Sequence, residues 1–193
     1  MTAEAEQMRI GVIVGSTRPG RVSRSVADWV TKQGNSRGDA VYELIDLGEV
    51  DLPFFDEELP PMAGQHKNEH TKNWAETIAS YDGFILVSGE YNHSPPSALT
   101  NALSFLFAEW TNKAVALVSY GVEGGARAAE HLRCIVGELK MADVRAQVLL
   151  RFGRDFAGYT DFDPEADREY ELGLLFSDLD DWSKALRPLR VRS

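Results

Sequence analysis

Between Gly15 and Ser25 the chain sets the hydroxyls of Ser16, Thr17, Ser23 and Ser25 among three arginines, Arg18, Arg21 and Arg24. Hydroxyls and guanidinium groups are the donors an anion needs, and the N–H groups of a helix start add more. One reading is a phosphate cradle; the other is an ordinary βα connection with helix-capping serines. The stretch lacks the Gly-Lys-Ser/Thr end of a P-loop, so nothing in it supports nucleoside triphosphate hydrolysis. Gly15 and Gly20 are too far apart for the glycine spacing of a dinucleotide-binding turn. A terminal phosphate monoester suits such a cradle, because it offers more oxygens to bond than a bridging pyrophosphate.

The elements around this loop follow from periodicity. Ile10, Val12, Ile13 and Val14 make a short β-branched run, which reads as a buried strand. Val22, Val26, Trp29 and Val30 fall on one face of a helix that Gly34-Asn35-Ser36 should stop. Val41 to Ile45 alternates as a second strand, and Asp46 to His66, with three prolines, reads as a long loop. Phe54, Phe55 and Asp56 in that loop either border a pocket or pack beneath it. A helix over Thr71 to Ser80 precedes the apolar run Gly83 to Ser88, the pattern of a parallel strand covered on both faces. Gly89-Glu90-Tyr91-Asn92-His93-Ser94 is the next loop. Pro95 and Pro96 can open the helix that follows, whose apolar positions run to Trp110 and leave more than one face to bury. Ala114 to Val118 is a fourth strand, followed by a glycine-bearing loop, Ser119 to Gly125. A helix from Ala126 to Lys140, a strand from Val144 to Leu150 and an irregular stretch from Arg151 to Asp163 come next. Asp163-Pro164-Glu165 should start the last helix, with Leu172, Leu175, Phe176, Leu179, Trp182 and Leu186 as its buried stripe.

Five strands alternating with helices predict one α/β domain over residues 8–193, after a frayed tail at 1–7, with a doubly wound parallel sheet in the order 2-1-3-4-5. In that order the loops after strands 1, 3 and 4 gather at one edge around a crevice where ligands bind.

The composition bounds the rest. With 193 residues the chain can bury a substantial core, and its 44% hydrophobic content is that of a globular protein. A formal net charge of −10 argues against general nucleic-acid binding. The single cysteine, Cys134, forbids an intrachain disulfide; its apolar neighbours suggest a core thiol in a reducing compartment. The absence of a long apolar run and of a signal-like start predicts a cytoplasmic protein without membrane contact. His66 and His70 share a four-residue spacing but have no third ligand in view, so no metal is expected.

The three loops together resemble those of the NADPH-dependent FMN reductases, a flavodoxin-like family that includes quinone, chromate and azo-dye reductases. The resemblance runs from about Met8 to Leu189. It rests on Gly15-Ser16-Thr17-Arg18 followed by Ser23-Arg24-Ser25, where Ser25 stands in place of a frequent asparagine. It rests also on Gly89-Glu90-Tyr91-Asn92 through Asn101-Ala102, with Gly89 for the usual proline and Thr100 for the usual lysine. The third motif is Ser119-Tyr120-Gly121, then Gly124-Gly125-Ala126-Arg127-Ala128. The resemblance implies that Ser16, Arg18, Ser23 and Ser25 surround the FMN phosphate, with contacts from Thr17 and Arg24. It implies that Gly89, Glu90, Tyr91, Asn92 and His93 run along the flavin edge, and that Ser119, Tyr120, Gly121 and Gly124 approach from the other side. Tyr91 could instead be a core tyrosine, His93 a plain polar contact, and Asn101 a backbone anchor outside the site.

The implied function is an FMN-dependent NAD(P)H oxidoreductase that passes hydride from NADPH or NADH through FMN to a quinone, a flavin or a similar acceptor, in ping-pong fashion and without a catalytic side chain. The alternative is a non-enzymatic FMN electron carrier. The resemblance also implies a homodimer or homotetramer; the apolar excess of the helix after Pro96 makes it the expected interface, the other reading being that the Asp46 to His66 loop covers it within one chain.

Overall fold

A computed structural model describes residues 7–190, so most of the expected tail lies outside the described residues. Strands β1 (Met8–Val14), β2 (Ala40–Asp46), β3 (Gly83–Gly89), β4 (Ala114–Gly121) and β5 (Ala142–Arg151) form a parallel sheet in the order β2-β1-β3-β4-β5. Helices α1 (Ser23–Arg37) and α6 (Asp167–Arg190) cover one face. Helices α3 (Glu69–Ala79), α4 (Ser97–Ser104) and α5 (Ala126–Glu138) cover the other. Both faces of β3 and β4 are buried, which explains their near-continuous apolar runs. No helix among the described residues is long and apolar enough to cross a membrane.

Several boundaries differ from the sequence expectations, each for a physical reason. Helix α1 runs through Gly34 to Arg37 and stops at Gly38, whose φ is 75°. Gly34 is a packing position: a Cβ there would lie 2.6 Å from the Tyr42 ring. Asn35 exchanges side-chain hydrogen bonds with the Tyr42 backbone, both at 2.9 Å, so a sequence stop signal serves instead to stitch helix to strand. The long loop contains a one-turn helix, α2 (Leu47–Val50), and a 3-10 turn at Pro61–Ala63. Ser119, Tyr120 and Gly121 extend β4 rather than forming a loop. Part of the stretch before the last helix pairs as a hairpin, β6 (Phe156–Ala157) and β7 (Asp161–Phe162), so α6 starts at Asp167 rather than near Asp163.

On α6 the buried stripe takes in Asp180 and Ser183, while Trp182 is half-exposed. Asp180 is wanted inside because it accepts from the Tyr42 hydroxyl at 3.1 Å and from Arg37 at 3.0 Å. Cys134 is exposed, on the outward side of α5, and is not a core thiol.

Helix α4 ends at Ser104, and the chain beyond it turns inward. Phe105, Leu106 and Trp110 are completely buried. Phe105 meets the Phe55 ring at 5.3 Å and His70 at 5.8 Å; Trp110 meets Phe84 at 4.9 Å and Trp74 at 6.1 Å. The apolar surface expected to face a second subunit is thus covered by the chain's own loop and core. The loop is pinned by Asn101, which donates to Pro53 O at 2.7 Å and accepts from Phe55 N at 3.0 Å.

Candidate functional site

The first wall of the crevice is the loop after β1. Gly15 N donates to Val87 O at 2.9 Å, carrying the β1–β3 pairing one residue past the strand. Ser16 is buried there, and Thr17 to Gly20 are exposed. Helix α1 opens with Val22 as its cap, with no side-chain cap bond and no acidic residue in its first turn. Its first N–H groups are therefore left for a ligand, and the helix dipole favours a negative one. Ser23 Oγ is buried beside them without a well-formed hydrogen bond, its polar neighbour being the Tyr120 phenol. A buried hydroxyl so poorly matched costs stability and calls for an occupant or a role.

The three arginines separate. Arg21 Nη2 donates to Asp46 Oδ2 at 2.7 Å. Arg24 reaches Asp46 at 3.2 Å, Glu49 at 3.0 Å and Asp28 at 3.2 Å. Arg18 makes no ion pair among the described residues and is the guanidinium available to an incoming anion. Ser25 spends its hydroxyl on Val22 O at 2.8 Å, inside the helix. Of the expected phosphate residues, then, Ser16, Thr17, Arg18 and Ser23 border the open loop, while Arg24 is taken up by carboxylates and Ser25 by backbone.

The loop after β3 is a tight turn. Tyr91 N donates to Ser94 O at 2.8 Å and Ser94 N to Tyr91 O at 3.0 Å, with Asn92 and His93 between them at φ 51° and 65°. Two consecutive left-handed residues make the mirror-image hairpin turn, usually filled by Asn-Gly. A histidine at the second position is strained, and strain of this kind is concentrated at ligand sites. Asn92 and His93 are exposed. Tyr91 points back across the crevice: its hydroxyl and Ser16 Oγ share a hydrogen bond of 2.5 Å. Tyr91 is neither a core residue nor confined to the turn, since it joins the second loop to the first.

Glu90 locks the second loop to the third. Its carboxylate accepts from Arg127 N at 3.1 Å and Arg127 Nε at 2.7 Å, capping the start of α5, while Glu90 N donates to Tyr120 O at 3.1 Å. Nothing in the local sequence around Glu90 marks Arg127 as its partner.

Ser119 and Tyr120 lie inside the fold, their side chains spent on turn shape and packing. Ser119 Oγ donates to Gly124 O at 2.7 Å and shapes the turn. Tyr120 is buried against Phe152 and Phe156. Burial pushes its phenol up to about 12, while the Ser23 and Ser16 hydroxyls and the Arg18 charge pull it down, so it stays protonated at neutral pH. Gly89 is required by this ring, because a Cβ there would lie 2.8 Å from the Tyr120 hydroxyl. Gly125, at φ 73°, has the Ser119 Cβ and the Tyr120 backbone N and O 2.9 Å from where a Cβ would sit. Val122 and Glu123 are the exposed tip of the third loop.

Three loops therefore meet at the carboxyl ends of β1, β3 and β4, tied by Ser16–Tyr91 and Glu90–Arg127. They offer hydroxyls, one uncommitted guanidinium and helix N–H groups at one end, and turn backbone at the other. Among the described residues no group of three or more His, Cys, Asp or Glu is placed to hold a metal ion. His66 pairs instead with Glu109 at 3.1 Å and His70 with Asp56 at 2.9 Å.

Comparison with known proteins bears on the same region. A family model described as NADPH-dependent FMN reductase matches residues 8–155. An NAD(P)H-dependent FMN reductase of Schizosaccharomyces pombe is 37% identical over 169 residues, covering 86% of this chain and 84% of that one. A quinone reductase of Escherichia coli is 31% identical over 139 residues, covering 68% and 71%. Among solved structures, a flavoenzyme NAD(P)H:(acceptor) oxidoreductase from Paracoccus denitrificans aligns over 92% of this chain and 98% of its own, with a TM-score of 0.72 and 20% identity; it shares the fold.

Proposed function

The chain belongs to the NADPH-dependent FMN reductase family, oxidoreductases with FMN as cofactor and NAD(P)H as donor, and we propose that it delivers electrons to a quinone, a free flavin or a similar small acceptor, donor and acceptor taking turns at one site. The observation that carries the reading is the uncapped start of α1 beside the uncommitted Arg18, with the buried Ser23 hydroxyl in its first turn. That donor set fits a phosphate monoester, and the crevice beside it opens onto turn backbone, as a flat cofactor ring requires.

FMN supplies the hydride chemistry when bound, so no acid–base side chain is needed. The chain's residues hold and orient. Ser16, Thr17, Arg18, Ser23 and the first N–H groups of α1 grip the phosphate. The Glu90–His93 turn and the Gly121–Gly124 turn offer their backbone to the two edges of the ring. N–H donors of these turns would stabilise negative charge on a bound flavin and so tune its potential. Tyr91 spans the two ends through Ser16, and Glu90 fixes the distance between the second and third loops through Arg127. His93 serves as a turn residue.

The same reading makes residues 8–193 one cytoplasmic FMN-binding domain that assembles as a homodimer or homotetramer. With the helix after Pro96 covered internally, the loop carrying Phe54 and Met62, 84% and 67% exposed, is the apolar surface we assign to assembly, ahead of the α6 face that exposes Tyr170 and Trp182. Steady-state rates test the reaction: varying NAD(P)H and a quinone together gives parallel reciprocal lines if both use one site in turn, and converging lines would reject it.

A further inference from the structure

Resting on the reading of Gly15 to Ser25 as the FMN phosphate cradle, we propose that Asp46 is a positioning residue of that cradle: by holding Arg21 and Arg24 against the end of β2, it fixes the loop and leaves Arg18 alone to meet the phosphate. Asp46 lies outside the three loops, at the last position of the edge strand. Its side chain is fully buried. It accepts from Arg21 at 2.7 Å, from Arg24 at 3.2 Å and from Gly48 N at 2.9 Å. Burial pushes its carboxyl up, but the Arg21 guanidinium, the Gly48 N–H and Arg24 outweigh that and hold it below the ordinary carboxylate value. It is therefore a charged anchor across the neutral range.

The anchor reaches Arg18 through a short path. Arg21 N donates to Arg18 O at 3.1 Å, closing a turn that contains Gly20 at φ 70°. Only Pro19 and Gly20 thus separate the tethered arginine from the uncommitted one, with the glycine as the pivot. Packing fixes Arg21 as well as charge does: a Cβ on Gly48 would lie 3.1 Å from its Nη2. Arg21 Nε is buried with no partner, a cost that a purely stabilising pair would not carry. Arg21 also walls a cavity of about 350 Å³ with Thr17, Asp51 and Asn101, so a released side chain has room to swing. Arg24 differs from Arg21 in having Glu49 and Asp28 as further partners, and it would stay close to its place without Asp46.

The test is a fluorescence titration of the flavin-free protein with FMN and with riboflavin, which lacks the phosphate. Asp46→Asn and Arg21→Gln should each weaken FMN roughly tenfold, the scale of one charge-assisted hydrogen bond lost from its geometry, and leave riboflavin within about twofold. Because both act through one tether, the double variant should be no weaker than either single one. FMN binding unchanged or tightened in Asp46→Asn would overturn the proposal. Equal losses for the two flavins would assign Asp46 a structural role only, and an additive double variant would break the shared path. Should Asp46→Asn fail to fold, Arg21→Gln carries the same test, since Asp46 keeps Arg24 and Gly48 N. Failure of the unaltered chain to bind FMN would overturn the cradle itself; FMN binding with an unmoved FMN-to-riboflavin ratio in the variants would overturn only the role of Asp46.

Discussion

Replacing Arg18 and Arg24 in turn separates a phosphate ligand from a bystander of the same type, six residues away. Arg18 has no carboxylate partner among the described residues, whereas Arg24 is shared among Asp46, Glu49 and Asp28. A hydrogen bond to a charged group contributes about 1.5–3 kcal/mol. Arg18 is exposed, where solvent and salt weaken the interaction, so the low end applies. About 1.5 kcal/mol corresponds to roughly tenfold in Kd. Arg18→Ala should thus raise the FMN dissociation constant about tenfold at low salt, and less as added salt screens the contact. Riboflavin should be unaffected. Arg24→Ala removes a partner from Asp46, which keeps Arg21 and Gly48 N, and should change FMN affinity by no more than about threefold. Quenching of flavin fluorescence on titration into flavin-free protein measures all four numbers. An Arg24→Ala loss as large as that of Arg18→Ala would refute the division of the arginines, and equal loss of FMN and riboflavin in Arg18→Ala would refute phosphate contact.

Three further outcomes are expected. Glu90→Ala leaves Arg127 and the start of α5 without their acceptor, so the flavin-free protein should lose about 1–2 kcal/mol in urea unfolding and FMN should bind more weakly; Glu90→Gln should keep part of both. Lys113 is buried, and burial, followed by the Arg190 charge, pushes its ammonium down to about 7 from an ordinary 10.5. Between those values the unfolded chain binds more protons than the folded one, so stability should rise with pH above about 7 by up to ~1.4 kcal/mol per unit, and Lys113→Met should flatten that rise. A stability curve flat from neutral to mildly alkaline pH in the unaltered protein would contradict it. Phe54→Glu should lower the mass seen by light scattering, because it charges the exposed loop assigned to assembly; an unchanged mass would move the interface elsewhere.

What the sequence disclosed and what it hid divide along the chain distance of the interactions. Strand order and the meeting of three loops at one edge were legible, because strand runs, helix stripes and right-handed crossovers are local patterns with few global solutions. The cluster of hydroxyls and arginines after β1 was legible for the same reason, its members lying within one short stretch. Its division of labour was not. Which arginine remains free depends on Asp46, 25 residues from Arg21 in sequence, and read there as the start of a loop. The tie of Glu90 to Arg127 was hidden because the partner is 37 residues away, and Tyr91 could be taken for a core tyrosine because Ser16 is 75 residues away. The helix after Pro96 shows the converse: helical spacing required its apolar faces to be buried, and the group that covers Phe105, Phe55, sits in a loop without periodicity. Apolar excess on one element therefore counts toward a partner subunit only after irregular segments of the same chain have been given the chance to cover it. Charged motifs need the same accounting: an arginine-rich loop has the anion affinity of those guanidiniums that no carboxylate elsewhere in the fold has already taken.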